Sequence, residues 1–142
     1  MLRRLLLLVL VLAPVGAAQS GPWTDLGNSL PGTSGPPQLQ CQGALTAGSA
    51  IGLELTNAAI SQAAYLVIGF TAINAPYKGG ILVPNFDLLF GLWTDDAGTV
   101  SAQAHWPAGV PPGFEIYMQF WINDAGAVAG RAGSNAMMGV VP

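Results

Sequence analysis

Short apolar runs separated by glycine, proline, asparagine and aspartate constrain the fold of this chain more than any other feature. The 142 residues include 19 glycines and 11 prolines, and turn signals recur at spacings of about ten residues. After residue 20, no long segment places its apolar residues at the period of a helix face. The sequence therefore predicts strands and turns, and it excludes a fold built on long helices.

One segment shows the two-residue period of a strand very clearly. In residues 38–46, Leu39, Cys41 and Leu45 fall on one face, while the glutamines between them point the other way. Residues 50–56 alternate in the same manner and follow after a short turn. The two segments together predict a β-hairpin.

The middle of the chain predicts further strands and two breaks between them. Residues 64–73 are apolar on both faces, which is typical of a strand buried at the centre of a sandwich. Residues 81–93 are interrupted by Pro84, whose missing donor predicts a bulge or a change of sheet. Residues 94–98 have the chemistry of a hairpin turn, with Gly98 where a left-handed residue is needed.

Short strands at regular spacing, with no helix, predict an all-β fold, and specifically an antiparallel β-sandwich of about seven or eight strands. Immunoglobulin-like and jelly-roll-like connectivity are both compatible with the pattern. We expect the sandwich domain to span residues 37–142. A turn-rich lead-in at residues 19–36 precedes it, and residues 23–26 within that lead-in are expected to form a short edge strand.

The N-terminal segment has the three parts of a secretory signal peptide. A basic end with Arg3 and Arg4 precedes an apolar run that continues to Ala13, and small residues follow up to Ala18. The run of about nine residues is too short for a membrane span, which needs roughly 20. We expect residues 1–18 to be cleaved, no integral membrane span to remain, and the domain to be secreted to the periplasm or the extracellular space.

The charge of the remaining chain excludes or disfavours two classes of partner. Outside residues 1–18, Lys78 and Arg131 are the basic residues, against seven acidic ones, so the net charge is near −5. Nucleic acid is excluded, because phosphate contacts need clustered Lys and Arg. An anionic membrane surface is disfavoured for the same reason. Charged residues make up only 8 % of the chain, which indicates either a surface that docks to a partner or a compositional bias of the genome.

Residues that carry catalysis or bind transition metals are scarce. Cys41 is the single cysteine, and its place on an apolar face predicts a buried, unreactive thiol. His105 is the single histidine and is expected at the surface, on the same strand face as Ser101 and Gln103. One His and one Cys far apart make a poor zinc site, and no Gly-x-Ser-x-Gly elbow is present. Two-carboxylate chemistry stays formally open, but we predict no enzymatic activity and no cofactor.

Two acidic turns raise the question of calcium. Asp95 and Asp96 lie in one turn, and Asn123 and Asp124 lie in another. Calcium takes about six to eight oxygen ligands, and neither turn supplies a local series of carboxylates. Side chains that cap their own turns before a glycine explain the pattern better, although calcium binding stays open.

Residues 114–122 provide the candidate ligand-contact site. Their apolar side chains alternate with a second face on which Tyr117, Gln119 and Trp121 form a row, with the two rings about 13 Å apart along the strand. An exposed row of this kind can stack on a glycan or a peptide. If another layer covers the face, both rings belong to the core, and we favour this interpretation. Trp93 and Trp106 are expected to be core or rim residues.

Seven segments taken in order carry a family resemblance. They are Asp25-Leu26-Gly27, Leu30-Pro31-Gly32-Thr33, Tyr65-Leu66-Val67-Ile68-Gly69, Gly79-Gly80-Ile81-Leu82-Val83-Pro84, Trp106-Pro107-Ala108-Gly109, Gln119-Phe120-Trp121-Ile122-x-Asp124 and Ser134-Asn135-Ala136. Over about residues 23–142, the chain resembles an uncharacterised secreted bacterial β-sandwich module, usually found at the C-terminus of exported repeat or propeller proteins. The resemblance implies a folding signature of Gly, Pro, Trp and turn residues, and it implies no catalytic residue.

These observations favour a secreted, non-enzymatic β-sandwich module that acts by protein–protein contact or surface attachment in the cell envelope or extracellular space. Its expected partner is an envelope or extracellular protein. The alternative is a carbohydrate-binding module that uses exposed aromatic rings, for which a glycan is the ligand. Burial of Tyr117 and Trp121 would remove the site on which that alternative depends.

Overall fold

The structure is a computed structural model, and it describes residues 21–142. The predicted signal peptide, residues 1–18, lies outside the described residues. Within the described part the chain forms antiparallel strands and no helix, which confirms the all-β prediction. The strands are β1 (Trp23–Gly27), β2 (Gln38–Gln42), β3 (Ala50–Thr56), β4 (Ala63–Gly69), β5 (Ala72–Tyr77), β6 (Gly80–Pro84), β7 (Leu88–Trp93), β8 (Val100–His105), β9 (Glu115–Asn123), β10 (Arg131–Gly133) and β11 (Ala136–Val140).

The largest sheet has six strands in the order β1-β11-β9-β4-β7, and β10 also pairs with β9. Every pairing in it is antiparallel. β9 is the longest strand, and its side chains are buried on both faces, as expected for a central strand. β1 forms one edge of this sheet, as predicted for residues 23–26, and β7 forms the other.

A smaller sheet of three strands, in the order β2-β3-β8, packs against one face of the large sheet. The predicted hairpin is confirmed, because β2 pairs with β3 in a register that sets Cys41 opposite Leu53. One cluster of buried side chains joins the two sheets, and we call the face of the large sheet that lines it the inner face. The cluster includes Leu39, Cys41, Ile51, Leu55 and Val100 from the small sheet and Leu66, Ile68, Met118, Phe120, Ile122 and Met137 from the large one.

A two-stranded hairpin of β5 and β6 covers the opposite, outer face of the large sheet. Leu82 of β6 packs there in one cluster with Val67 of β4 and Trp121 of β9. The backbone N–H of Val83 donates a hydrogen bond to the Gln119 side chain at 3.0 Å. The central strands therefore have protein on both faces, which explains why their side chains are apolar on both.

The chain leaves this hairpin at Pro84. β6 ends there, and β7 belongs to the large sheet, so the predicted change of sheet is confirmed. The single strand predicted over residues 64–73 is wrong in its extent. β4 ends at Gly69 and β5 starts at Ala72, because the chain passes from the large sheet to the covering hairpin between them.

The hairpin predicted at residues 94–98 is also wrong, although its turn chemistry is present. β7 pairs with β4, and β8 pairs with β3, so this segment carries the chain from one sheet to the other. Gly98 has a φ of 71°, in the left-handed region as expected. A Cβ at this position would collide with the carbonyl oxygen of Ala58, so the crossing requires glycine.

Candidate functional site

The structure buries the predicted ligand-contact row. Tyr117, Gln119 and Trp121 are 8 %, 0 % and 1 % exposed. They share the outer face of β9 as predicted, but the β5–β6 hairpin and neighbouring residues cover that face. An exposed surface for stacking on a glycan is therefore not formed by these three residues, and the interpretation of both rings as core agrees with the structure.

Gln119 holds the covering hairpin onto the large sheet. Its Oε1 accepts hydrogen bonds from the Val83 N–H and, at 3.2 Å, from the Trp121 indole. Its Nε2 donates to the carbonyl oxygens of Ile81 and Ser134 at 3.1 and 3.0 Å. Every polar atom of this buried amide has a partner, so Gln119 is a structural residue.

Tyr117 also has its polar atom satisfied. Its hydroxyl donates a 2.6 Å hydrogen bond to Oε2 of Glu115. This hydrogen bond, with contributions from burial and from the negative charge of Glu115, raises the pKa of the Tyr117 hydroxyl. The arrangement orients the phenol along the strand and leaves no free donor for a ligand.

In each acidic turn, one aspartate side chain accepts hydrogen bonds from within the protein. Asp124 accepts hydrogen bonds from the Thr33 hydroxyl, the Thr33 N–H and the Gly126 N–H. Burial alone would raise the pKa of Asp124, but these hydrogen bonds outweigh it and lower the pKa. Asp95 accepts from the N–H groups of Ala97 and Thr99 at 2.9 Å each. Across residues 21–142, no three His, Cys, Asp or Glu side chains lie close enough together to hold a metal ion.

The remaining candidate residues divide between confirmed and corrected predictions. Cys41 is buried as predicted, and burial raises the pKa of its thiol to about 12, which agrees with the expectation of an unreactive thiol. His105 is exposed and Trp106 is buried, both as expected. The prediction for Trp93 is wrong: it is 71 % exposed, because β7 lies at the edge of the large sheet.

β7 is a candidate binding site that the sequence did not reveal. Within the described residues it pairs only with β4, so one side of its backbone has no partner strand. Four of its side chains are exposed apolar groups, and none of its six residues is charged. The four exposed apolar side chains are those of Leu88, Leu89, Phe90 and Trp93. We call this strand, with its unpaired backbone, the apolar edge.

An apolar groove lies on each side of the apolar edge. On the inner face, Phe90 and Leu92 stand opposite Ala102 and Ala104 of β8, whose small side chains leave a groove of about 280 Å³. On the outer face, Leu89 borders a second groove of about 190 Å³ beneath the β5–β6 hairpin. The unpaired backbone of β7 runs between the two grooves.

Known proteins offer no guide to this site. No protein family model, no curated protein and no solved structure matches the chain. The described residues contain no helix that is long and apolar enough to cross a membrane.

Proposed function

We propose that this chain is a secreted, non-enzymatic β-sandwich module that binds another protein along the apolar edge. The partner contributes an extended segment, which adds to the large sheet as a further strand beside β7. The observation that carries the proposal is an unpaired six-residue edge strand whose side chains are apolar on both faces.

The grooves beside β7 define the chemistry of the bound segment. A strand added to β7 projects alternate side chains to the two faces of the sheet. On one face they meet the groove formed with β8, and on the other they meet the groove beneath the β5–β6 hairpin. β7 carries no charge, and apart from Arg131 in the outer groove the residues that line the two grooves are uncharged and mainly apolar. The partner segment is therefore extended, apolar at successive positions and without charged side chains.

The exposure of this edge in the isolated chain supports a role in binding. Sheet edges that remain bare in solution are normally protected by lysine, proline, bulges or short strands. β7 has none of these protections, and its Leu89 is 55 % exposed. A partner strand would satisfy the backbone and remove the apolar surface from water.

The cellular location is part of the same proposal. The leader-like residues 1–18 support export, and the low charge supports contact through apolar and backbone groups. The scarcity of histidine, cysteine and clustered carboxylates supports a module without catalysis. A glycan-binding function has no support from Tyr117 and Trp121, since both are buried.

A peptide-display selection against the purified protein tests the proposal. We expect random eight-residue segments to be enriched when they are uncharged and apolar at successive positions, and their binding to be lost in Leu89→Asp. Ile60→Asp is the matched control, because Ile60 is exposed to a similar extent, 58 %, but lies outside β7. Enrichment of charged segments, or equal binding to the two variants, would overturn the proposed site.

A further inference from the structure

Arg131 occupies an unusual position on the outer face of the large sheet. Its guanidinium carbon lies 4.9 Å from the centroid of the Tyr65 ring, a cation–π distance. Its Nη1 donates a 2.9 Å hydrogen bond to the Tyr77 hydroxyl. In the part of the chain that the structure describes, no carboxylate accepts a hydrogen bond from Arg131.

The guanidinium forms part of the wall of the 190 Å³ groove. The groove is lined by Tyr65, Val67, Tyr77, Phe86, Leu89, Trp121 and Arg131. Tyr77 is fixed by an edge-to-face contact with Trp121, with 4.8 Å between ring centroids. Gly91, which pairs with Tyr65, has open space where a side chain would stand. Tyr77 is therefore held in place, while the groove is open beside Gly91 of β7.

We propose that this groove binds a monocarboxylate that carries an apolar group. The carboxylate pairs with the Arg131 guanidinium, and the apolar group contacts Val67, Phe86 and Leu89. Nothing covalent takes place: the ligand is held by charge-assisted hydrogen bonds and by burial of its apolar part.

The donor inventory of Arg131 supports a ligand. A guanidinium has five N–H donors arranged as a planar fork that matches a carboxylate. One donor is used by Tyr77, and the cation–π contact with Tyr65 restrains the group without using any. The remaining donors are thus oriented in advance, which reduces the entropy lost when an anion binds.

The charge of the chain favours a carboxylate over a phosphate. Outside residues 1–18 the net charge is near −5, and the other basic residue, Lys78, does not line the groove. A dianionic phosphate requires several cationic or N–H donors, whereas one guanidinium balances one carboxylate. The mainly apolar lining suits the hydrocarbon part of an organic acid.

This inference does not rest on strand addition along β7, although Leu89 borders both features. A carboxylate of this kind has two sources: a free organic acid, or the C-terminus of a peptide or protein. The chemistry is the same in both cases, so the experiment must separate the sources.

The test is an NMR titration that follows the Nε–Hε signal of Arg131, the one arginine outside residues 1–20. The probes are phenylacetate, a tripeptide ending in phenylalanine with a free C-terminus, the same tripeptide as its C-terminal amide, and inorganic phosphate. We expect saturable shifts with phenylacetate or with the free tripeptide, and none with the amide. Saturation by phenylacetate assigns free acids, and saturation by the tripeptide alone assigns chain ends.

Variants separate recognition from a structural role of Arg131. Arg131→Gln is expected to weaken binding by more than about tenfold, measured by calorimetry. Lys78→Gln removes the same charge outside the groove and is expected to change affinity less than about twofold. Tyr77→Phe keeps the fold and Arg131 but removes the hydroxyl that accepts the Nη1 hydrogen bond. We expect it to weaken ligand binding several-fold, because the guanidinium is then no longer held in one orientation. Equal losses in Arg131→Gln and Lys78→Gln, saturation by phosphate alone, or no saturable shift would overturn the proposal.

Discussion

The two sheets meet at two sides of the apolar cluster between them. At the first side, the edge strand β1 of the large sheet lies near the edge strand β2 of the small sheet. At the second side, the edge strand β7 of the large sheet lies near the edge strand β8 of the small sheet. On the first side the Asn135 side chain bridges the sheets. Its Oδ1 accepts from the Leu39 N–H at 2.7 Å, and its Nδ2 donates to the Leu39 carbonyl at 3.0 Å. On the second side, within residues 21–142, no side-chain hydrogen bond crosses from β7 to β8. The groove between these strands is lined mainly by apolar residues, among them Phe90 and Leu92 of β7 and two alanines of β8.

One side-chain amide is enough to close the edge of β2. The Asn135 amide carries the donor and acceptor of a peptide group, so it pairs with β2 as a neighbouring strand would. The cleft that remains above it, about 250 Å³, is lined largely by polar residues and prolines. At β7 no such residue is present among residues 21–142, so this edge keeps an unpaired backbone and apolar side chains, the two features on which the proposed strand addition depends.

Removing the Asn135 bridge should change the stability of the chain more than any other substitution considered below. Asn135→Leu removes both hydrogen bonds and leaves the buried N–H and C=O of Leu39 without partners. We expect the free energy of unfolding to fall by about 2–4 kcal/mol, measured by urea denaturation. Gln103→Ala, an exposed polar change on β8, is the control. A loss below about 0.5 kcal/mol would mean that the Asn135 bridge does not close this side.

A smaller and opposite effect is expected from filling the open side. Ala102→Leu adds apolar volume to the groove between β8 and β7, where it can contact Phe90 and Leu92. We expect a gain of about 1 kcal/mol in the free energy of unfolding, together with weaker binding of selected peptides. The side chain at position 101 points away from the groove, so Ser101→Leu should produce neither change. If Ala102→Leu lowers the free energy of unfolding, the groove has no room for an added side chain.

Lowering the pH should act on neither side but on the turn at Asp124. Its pKa in the folded chain is below the ordinary value, so its contribution to stability is present above the unfolded-state pKa, near 4, and is lost as the pH falls through the folded value. We expect the free energy of unfolding to decrease over this pH range, as measured in acid unfolding curves. Asp124→Asn should flatten this dependence, while Asp96→Asn should preserve it.

The smallest expected change in stability comes from a charge placed on the apolar edge. Trp93→Lys should alter the free energy of unfolding by less than about 0.5 kcal/mol, because the ring is mostly in solvent. Any concentration-dependent self-association of the chain should disappear in this variant, as measured by analytical ultracentrifugation. Val128→Lys, at another exposed apolar position, should leave self-association unchanged, and an equal effect of both would argue against the edge.

The sequence predicted local features well wherever the period of the side chains decided them. The β2–β3 hairpin, the burial of Cys41 and the break at Pro84 depend on alternation or on a missing donor, and both are visible in the residues themselves. The turn at Gly98 was also predicted, but the strands that it joins were assigned to one hairpin. Its glycine fixes the backbone conformation and carries no information about which strands pair.

The errors concern which strands are neighbours. β7 and β4 are both apolar on two faces, yet β4 is central and β7 is at the edge. A strand with apolar residues on both faces is expected to contact apolar groups on both. Those groups can belong to the core of the same chain or to a binding partner, and the sequence pattern is the same in the two cases. The burial of Tyr117 and Trp121 depends on the β5–β6 hairpin, and the closure of β2 depends on one asparagine far away in the chain. Such long-range contacts leave no periodic signal.

The pairing of β1 with β11 has a consequence for the order of folding. Trp23 lies opposite Gly139, so one edge of the large sheet forms only when the two ends of the described chain meet. Contacts between residues so distant in sequence slow the folding of a domain, because a long loop must close before they form. A nascent chain that lacks residues 136–140 therefore cannot complete its main sheet, and the final architecture is reached only after synthesis has passed this point.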